Sequence, residues 1–229
     1  MDEKITLERV EQEVDSMCKA VDFAASVIPH NKTLLLIGGD EHQAFYNGIR
    51  AKARNAGVKV SWQASDAMLR MQQPVDWLVY DTDYVKTHNP RDLQYREEQD
   101  LDNMFRPGMS CCAAACFSLM KRLDLLEGKD VLIIGRGHAV KGLAEACLQN
   151  NATVTVAHSK THSIGKYHVN TIVNCAPQLE DDLWCPQLMI DVHGSCKFNF
   201  SEGRYYEPVY FNKIGRLTTS LLITRANVR

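Results

Sequence analysis

The sequence predicts an α/β fold, and three observations carry that expectation. Residues 131–134 form a short, wholly apolar, mostly β-branched run, the composition of a parallel strand covered on both faces. A glycine turn, Gly135-Arg136-Gly137, follows it directly. Segments of helical apolar spacing lie between runs of this kind along the chain, and strands alternating with helices build a parallel sheet.

In chain order, residues 5–27 place Leu7, Val10, Val14, Met17, Cys18, Val21 and Ala25 at helical intervals, so a long helix opens the chain and stops before Pro29. Residues 33–37 read as a buried strand, with Gly38-Gly39-Asp40 as the turn after it. Residues 43–55 read as a helix closed at Gly57. Strands follow at 58–62 and 77–80. Residues 82–108 are polar, contain Pro90 and Pro107, and read as one long irregular segment of the functional or disordered kind. An alanine- and leucine-rich helix over 112–126 bridges into the second half. There the strand at 131–134, a helix over 139–149 and a strand through Val154 and Val156 make a βαβ unit. Further strands are expected at 171–174 and 188–191, then an aromatic, turn-rich stretch from Phe198 to Phe211, and a closing helix over 215–225.

The βαβ unit carries the chemistry. Gly135 and Gly137 let the backbone turn sharply and approach a ligand. A helix starting at Ala139 would aim its N-terminus at the turn and favour an anion there. At the end of the second strand an NAD-preferring site places an acidic residue on the ribose 2′-hydroxyl. This chain has His158-Ser159-Lys160-Thr161 instead. Hydroxyl and ammonium groups suit a 2′-phosphate, and Arg136 adds a second cation, so the residues favour NADP. The spacing G-x-G-x-x-x-x-G departs from the six-residue fingerprint, and an ordinary βαβ crossover with a glycine turn is the alternative. His138, His158 and His162 lie close by and read as turn residues.

A formal net charge of -2 with no basic run argues against a nucleic-acid partner. No apolar run has membrane-spanning length, and the charged N-terminus is unlike a signal peptide, so a soluble, cytoplasmic protein is expected. The eight cysteines are scattered without metal-ligand spacing and read as reduced, mostly buried small hydrophobes; Cys111-Cys112-x-x-x-Cys116 is a poor metal site.

The Gly-Arg turn, Asn150-Asn-Ala-Thr-Val-Thr-Val156 and His158-Ser-Lys-Thr161 resemble the cofactor domain of the methylenetetrahydrofolate dehydrogenase/cyclohydrolase family. The resemblance implies two lobes: an N-terminal α/β catalytic lobe, here residues 1–108, and a Rossmann-like NADP-binding lobe, here 109–212. The closing helix, 213–229, would pack back on the first. It further implies a folate-like substrate in the cleft between them, NADP as cofactor, one-carbon metabolism and a homodimer.

Carried across residue by residue, the resemblance is uneven. The family's Tyr-x-x-x-Lys, whose Tyr stacks on the pterin and whose Lys moves protons during methenyl hydrolysis, becomes Tyr46-Asn-Gly-Ile-Arg50. An arginine holds its proton too tightly to shuttle it, though it can still hold a carboxylate or stabilise negative charge. Lys52 lies two residues on, about 200° around the helix, and faces elsewhere. Where the family has Gln-Leu-Pro-Leu-Pro stands Tyr80-Asp81-Thr82-Asp83. Its Lys-Asp-Val-Asp-Gly has a counterpart in Gln99-Asp100-Leu101-Asp102-Asn103, with Asp102 bonding the pterin's donor edge. Pro-Cys-Thr-Pro becomes Ser110-Cys111-Cys112-Ala113, and the cleft-lining Pro-Gly-Gly-Val-Gly-Pro-Met-Thr retains only Gly215 and Thr218. Tyr46 could instead be an amphipathic residue packed over a strand, and residues 97–102 a solvated acidic run.

The reading this supports is an NADP-dependent oxidoreductase acting on CH-NH groups. It would oxidise 5,10-methylenetetrahydrofolate or a related one-carbon compound, with cyclohydrolase activity lost. Arg50, Tyr46 and Asp102 are the catalytic candidates, and Tyr46, Tyr80, Asp102 and Gly215 line the substrate. Gly135, Arg136, Gly137, His158, Ser159, Lys160 and Thr161 hold the cofactor, and no metal is expected. An NADP-dependent enzyme with a non-folate substrate and a non-catalytic nucleotide-binding protein are the alternatives.

Overall fold

Thr33–Ile37 (β1) has no polar position among its buried residues, and its side chains alternate between two apolar clusters. Leu34 and Leu36 pack with Tyr46, Ile49, Ala53 and Leu222; Leu35 and Ile37 pack with Leu78, Tyr80 and Tyr84. A strand covered on both faces has to be apolar throughout, which is why this run reads so plainly. It lies at the centre of a parallel three-stranded sheet, between Lys59–Gln63 (β2) and Trp77–Tyr80 (β3).

The computed structural model describes residues 4–27, 32–38, 43–63, 75–87, 97–158, 160–161, 164–176, 182–183, 185–192, 194, 199–200 and 208–228. They fall into two compact units: residues 18–111 with 218–229, built on the three-stranded sheet, and residues 1–17 with 112–217. The division passes within the opening helix, Leu7–Val27 (α1), near the start of Cys111–Arg122 (α4), and within the closing helix, Gly215–Val228 (α6).

The three-stranded unit is covered by Gln43–Asn55 (α2), whose Tyr46, Ile49 and Ala53 face the sheet. Gly48 faces α6: a Cβ there would stand 3.4 Å from Thr219 Cγ2, in ordinary contact. Trp77 Nε1 donates to the Ala226 carbonyl at 2.8 Å, fastening β3 to the end of α6. Within 82–108, expected to be irregular, Thr82–Thr87 is a short helix (α3) and Glu97–Gln99 a 3₁₀ turn. Asp81 accepts the Tyr84 N–H at 3.0 Å, which explains why the chain coils directly after β3.

The other unit contains a parallel sheet of Val209–Phe211 (β10), Leu188–Asp191 (β8), Thr171–Asn174 (β6), Asp130–Ile134 (β4) and Thr153–Ala157 (β5), in that spatial order. Counting only these five strands along the chain, the order is 2-1-3-4-5, the other common doubly wound arrangement. The chain first steps from β4 to β5 and then crosses to β6, so the order reverses between β4 and β6. Two short strands, Asp182–Leu183 (β7) and Asn199–Phe200 (β9), pair separately.

The helix expected over 139–149 is divided. His138–Val140 is a 3₁₀ turn, Gly142 is left-handed at φ +79°, and the α-helix is only Leu143–Gln149 (α5). The apolar spacing of Val140, Leu143 and Cys147 suits either geometry, and the glycine decides it. The helix therefore begins six residues beyond Gly137, so its dipole is not the reason to place an anion at the glycine turn. No described helix is long and apolar enough to cross a membrane.

Candidate functional site

The carboxyl ends of β4, β5 and β6 bring the nucleotide candidates together. Gly135 continues from β4 at φ +116°, a backbone conformation that favours glycine, donates its N–H to the Ala157 carbonyl at 2.8 Å, and packs closely: a Cβ would stand 3.2 Å from Cys175 Cβ. Gly137 is the opposite case, with no atom within 4 Å of where its Cβ would be. One glycine is favoured by its backbone and the other leaves the backbone open to a ligand. After β5, the His158 N–H donates to Thr161 Oγ1 at 2.8 Å and the Thr161 N–H to the His158 carbonyl at 2.8 Å, closing a tight turn. The Lys160 N–H donates to His158 Nδ1 at 3.2 Å, so His158 shapes the turn. Arg136 and Lys160 are exposed and have no ion pair among the described residues. An open glycine backbone, two uncommitted cations and a hydroxyl still able to donate its proton fit the phosphates of a dinucleotide. Ser159 and His162 lie outside the described residues.

The second site forms in the three-stranded unit, where the chain steps from β1 to β2 and then back across to β3. Ligands of open parallel sheets sit at such reversals, beyond the carboxyl ends of the strands. Here Gly38 (φ +154°) follows β1 and Asp81 follows β3, and a Cβ on Gly38 would collide with Asp81 Cβ at 2.1 Å and the Tyr46 hydroxyl at 2.6 Å. Tyr46 is 1% exposed and donates its hydroxyl to Asp81 Oδ2 at 3.3 Å. Burial first, and then the Asp81 charge, hold the phenol's proton well above its ordinary pKa. The carboxylate of Asp81 is the group the sequence did not single out. Its signal was available: a polar residue ending a wholly apolar strand.

The remaining candidates separate. Arg50 is half-buried one turn along α2 from Tyr46 and forms no hydrogen bond or ion pair among the described residues. Lys52 pairs with Asp22 of α1, so it does face elsewhere. Tyr80 is 4% exposed and packs edge-on against Phe105 at 5.2 Å, in the cluster on the face opposite Tyr46. The two tyrosines are not brought together, because alternate residues of a strand point to opposite faces.

Asp102 is 9% exposed; its Oδ1 accepts the Cys111 N–H at 2.6 Å and lies 4.0 Å from Arg225 Nη1. Asp100, fully buried, accepts the N–H groups of Met104 and Phe105 at 3.0 and 2.8 Å. These two acids of the 97–102 run pin the loop before α4, and so are not a solvated face. Gly215 belongs to the five-stranded unit, where it opens α6 exposed, with nothing near its would-be Cβ.

No described group of His, Cys, Asp and Glu could hold a metal, and every described cysteine is free. Cys112, Cys116, Cys147 and Cys175 belong to this unit. Burial raises the Cys147 thiol to about 11, and burial with the neighbouring Cys112 and Asp191 raises Cys175 further. Both are protonated at neutral pH.

Residues 110–176 match the sequence model of the tetrahydrofolate dehydrogenase/cyclohydrolase family, NAD(P)-binding domain. The Bifunctional protein FolD of Clostridium beijerinckii is 31% identical over 140 residues, covering 52% of this chain and 48% of that protein. The chain spans about half the length of the curated relatives it matches. A 5,10-methylenetetrahydrofolate dehydrogenase from the silkworm, Bombyx mori, has the same fold at TM-score 0.69 and 16% identity, over 96% of this chain and 94% of its own. A bifunctional 5,10-methylenetetrahydrofolate dehydrogenase/cyclohydrolase from Thermoplasma acidophilum has it at TM-score 0.66 and 16% identity, over 95% and 96% of the two chains. The nucleotide segment, residues 110–176, is thus that of the tetrahydrofolate dehydrogenase/cyclohydrolase family's NAD(P)-binding domain, and the chain shares the fold of these solved structures.

Proposed function

We propose that the chain binds NADP at the carboxyl ends of β4, β5 and β6 and is an NADP-dependent dehydrogenase. Its proposed substrate is 5,10-methylenetetrahydrofolate or a related one-carbon compound carrying a CH-NH group. The observation that supports this most directly is the closed turn after β5, which presents Lys160 and Thr161 where an NAD site carries an acid. When bound, the nicotinamide accepts the hydride; the protein's part is binding, orientation and electrostatics. Gly137 would let the pyrophosphate meet the backbone, while Arg136 and Lys160 neutralise phosphate charge. Arg50, Tyr46 and Asp102 are the residues we propose for the substrate. Arg50 can hold an anionic group but cannot shuttle the proton that hydrolysis needs, so the cyclohydrolase step is proposed to be lost. A homodimer in the cytosol belongs to the same reading and rests on the family resemblance alone.

One observation favours a second reading, an NADP-dependent enzyme with a non-folate substrate. Where the family has Gln-Leu-Pro-Leu-Pro this chain has Tyr80-Asp81-Thr82-Asp83, so the strand end carries the Asp81 carboxylate, which only accepts hydrogen bonds, and lacks an amide, which also donates. Incubation of the protein with 5,10-methylenetetrahydrofolate and NADP⁺, following NADPH and methenyl product separately, decides between the readings. Steady NADPH formation with methenyl product accumulating is the expected result. Absence of turnover in protein that binds NADPH would favour the second reading.

A further inference from the structure

Asp191 ends β8 with its carboxylate completely buried, across from Asn174 at the end of β6. Its Oδ1 accepts from Asn174 Nδ2 at 3.1 Å, and its Oδ2 accepts from the hydroxyl of Tyr210 on β10. Three adjacent strands thus each contribute one polar side chain to a buried chain of hydrogen bonds. A carboxylate can only accept, so it fixes which end of the Asn174 amide faces it. The amide oxygen is thereby turned toward Ala176, whose N–H it accepts at 3.1 Å, while Nδ2 also donates to the Ala176 carbonyl at 3.1 Å. Asn174 in this orientation grips the turn after β6 by both backbone groups of one residue. That turn is the one Gly135 packs against, with the Cys175 N–H donating to the Ile134 carbonyl at 2.8 Å.

We infer that Asp191 is a positioning residue of the nucleotide site: acting through Asn174, and braced by Tyr210, it sets the 174–176 turn that forms the nicotinamide side of the crevice. The inference rests on the NADP reading above. A dinucleotide whose adenosine half lies over the β5 turn extends its other half across β4 toward β6 and β8, because the order of strands reverses between β4 and β6. The Asn174–Asp191–Tyr210 chain lies wholly on that second side. Its loss should therefore act on one half of the ligand.

Asp191→Asn tests this, because an amide of the same shape can donate as well as accept and no longer dictates how Asn174 is turned. NADPH binding is followed by fluorescence titration and adenosine 2′,5′-bisphosphate binding by calorimetry, with thermal unfolding recorded alongside. The expected result is an NADPH Kd raised about tenfold, roughly 1.4 kcal/mol, with adenosine 2′,5′-bisphosphate unchanged within about twofold. Tyr210→Phe, which keeps the half-buried ring and removes only the hydroxyl, should shift NADPH binding in the same direction by less and gives the answer if Asp191→Asn does not fold. Equal weakening of both ligands, or no effect on either, overturns the positioning role. Failure of the unmodified protein to bind NADPH overturns the nucleotide reading itself.

Discussion

Arg50 and Lys52 sit two residues apart on α2, and the structure gives them different work. Lys52 is held by Asp22, whereas Arg50 is half-buried, one turn from Tyr46, with no described partner. A half-buried guanidinium with no partner among the described residues is suited to an anionic substrate group. Arg50→Ala should therefore lower turnover at least about tenfold, close to 1.4 kcal/mol of transition-state stabilisation, while NADPH affinity stays as it was. Unchanged turnover would remove Arg50 from the site. Tyr46 and Arg50 were legible from their spacing on the helix. Asp81, Asn174 and Asp191 were not, because a single polar residue after an apolar run looks like the end of a strand until the fold shows what it faces. In all three the signal lies at a carboxyl strand end, where parallel sheets place their ligands.

Helix α4 shows how an element can take over a residue read as functional. Its first N–H groups need acceptors, and Cys111 finds one nine positions back in Asp102 rather than in a local cap. The same carboxylate lies 4.0 Å from Arg225 Nη1 of α6, so within the three-stranded unit it faces both the Cys111 N–H and a guanidinium. Asp102→Ala should cost about 1.5–3 kcal/mol in urea unfolding, because a charged acceptor is lost and the Cys111 N–H is left buried. A loss of catalysis in Asp102→Ala with unchanged stability would instead favour direct contact with substrate. The buried strands β1, β3, β4, β6 and β8 were each legible from their apolar runs, even though β6 and β8 end in the buried polar residues Asn174 and Asp191. The helix after the glycine turn was misjudged in its start because Gly142 breaks the backbone without disturbing the apolar spacing. The two-residue strands β7 and β9 are too short to leave a pattern.

At the scale of the molecule, legibility follows where the sequence is constrained by the fold's chemistry. The glycine turn, the crossover and the cationic tip lie within or beside one stretch, residues 129–161, and the family match over 110–176 falls on that stretch. The substrate candidates are dispersed over Tyr46, Tyr80, Asp102 and Gly215, and the last lies in a different unit from the others. Spacing along a chain cannot assemble such a set; only the fold can, and it places Tyr80 and Tyr46 on opposite sheet faces.

In the proposed function, the carboxyl ends of β4 and β5 hold a dinucleotide by its 2′-phosphate. The most direct test is the pair of dissociation constants for NADPH and NADH, taken on the protein and on Lys160→Ala. The expected result is a preference for NADPH of at least about tenfold, largely abolished in Lys160→Ala with NADH binding unaltered. Equal affinity for the two cofactors, or a preference for NADH, would contradict it.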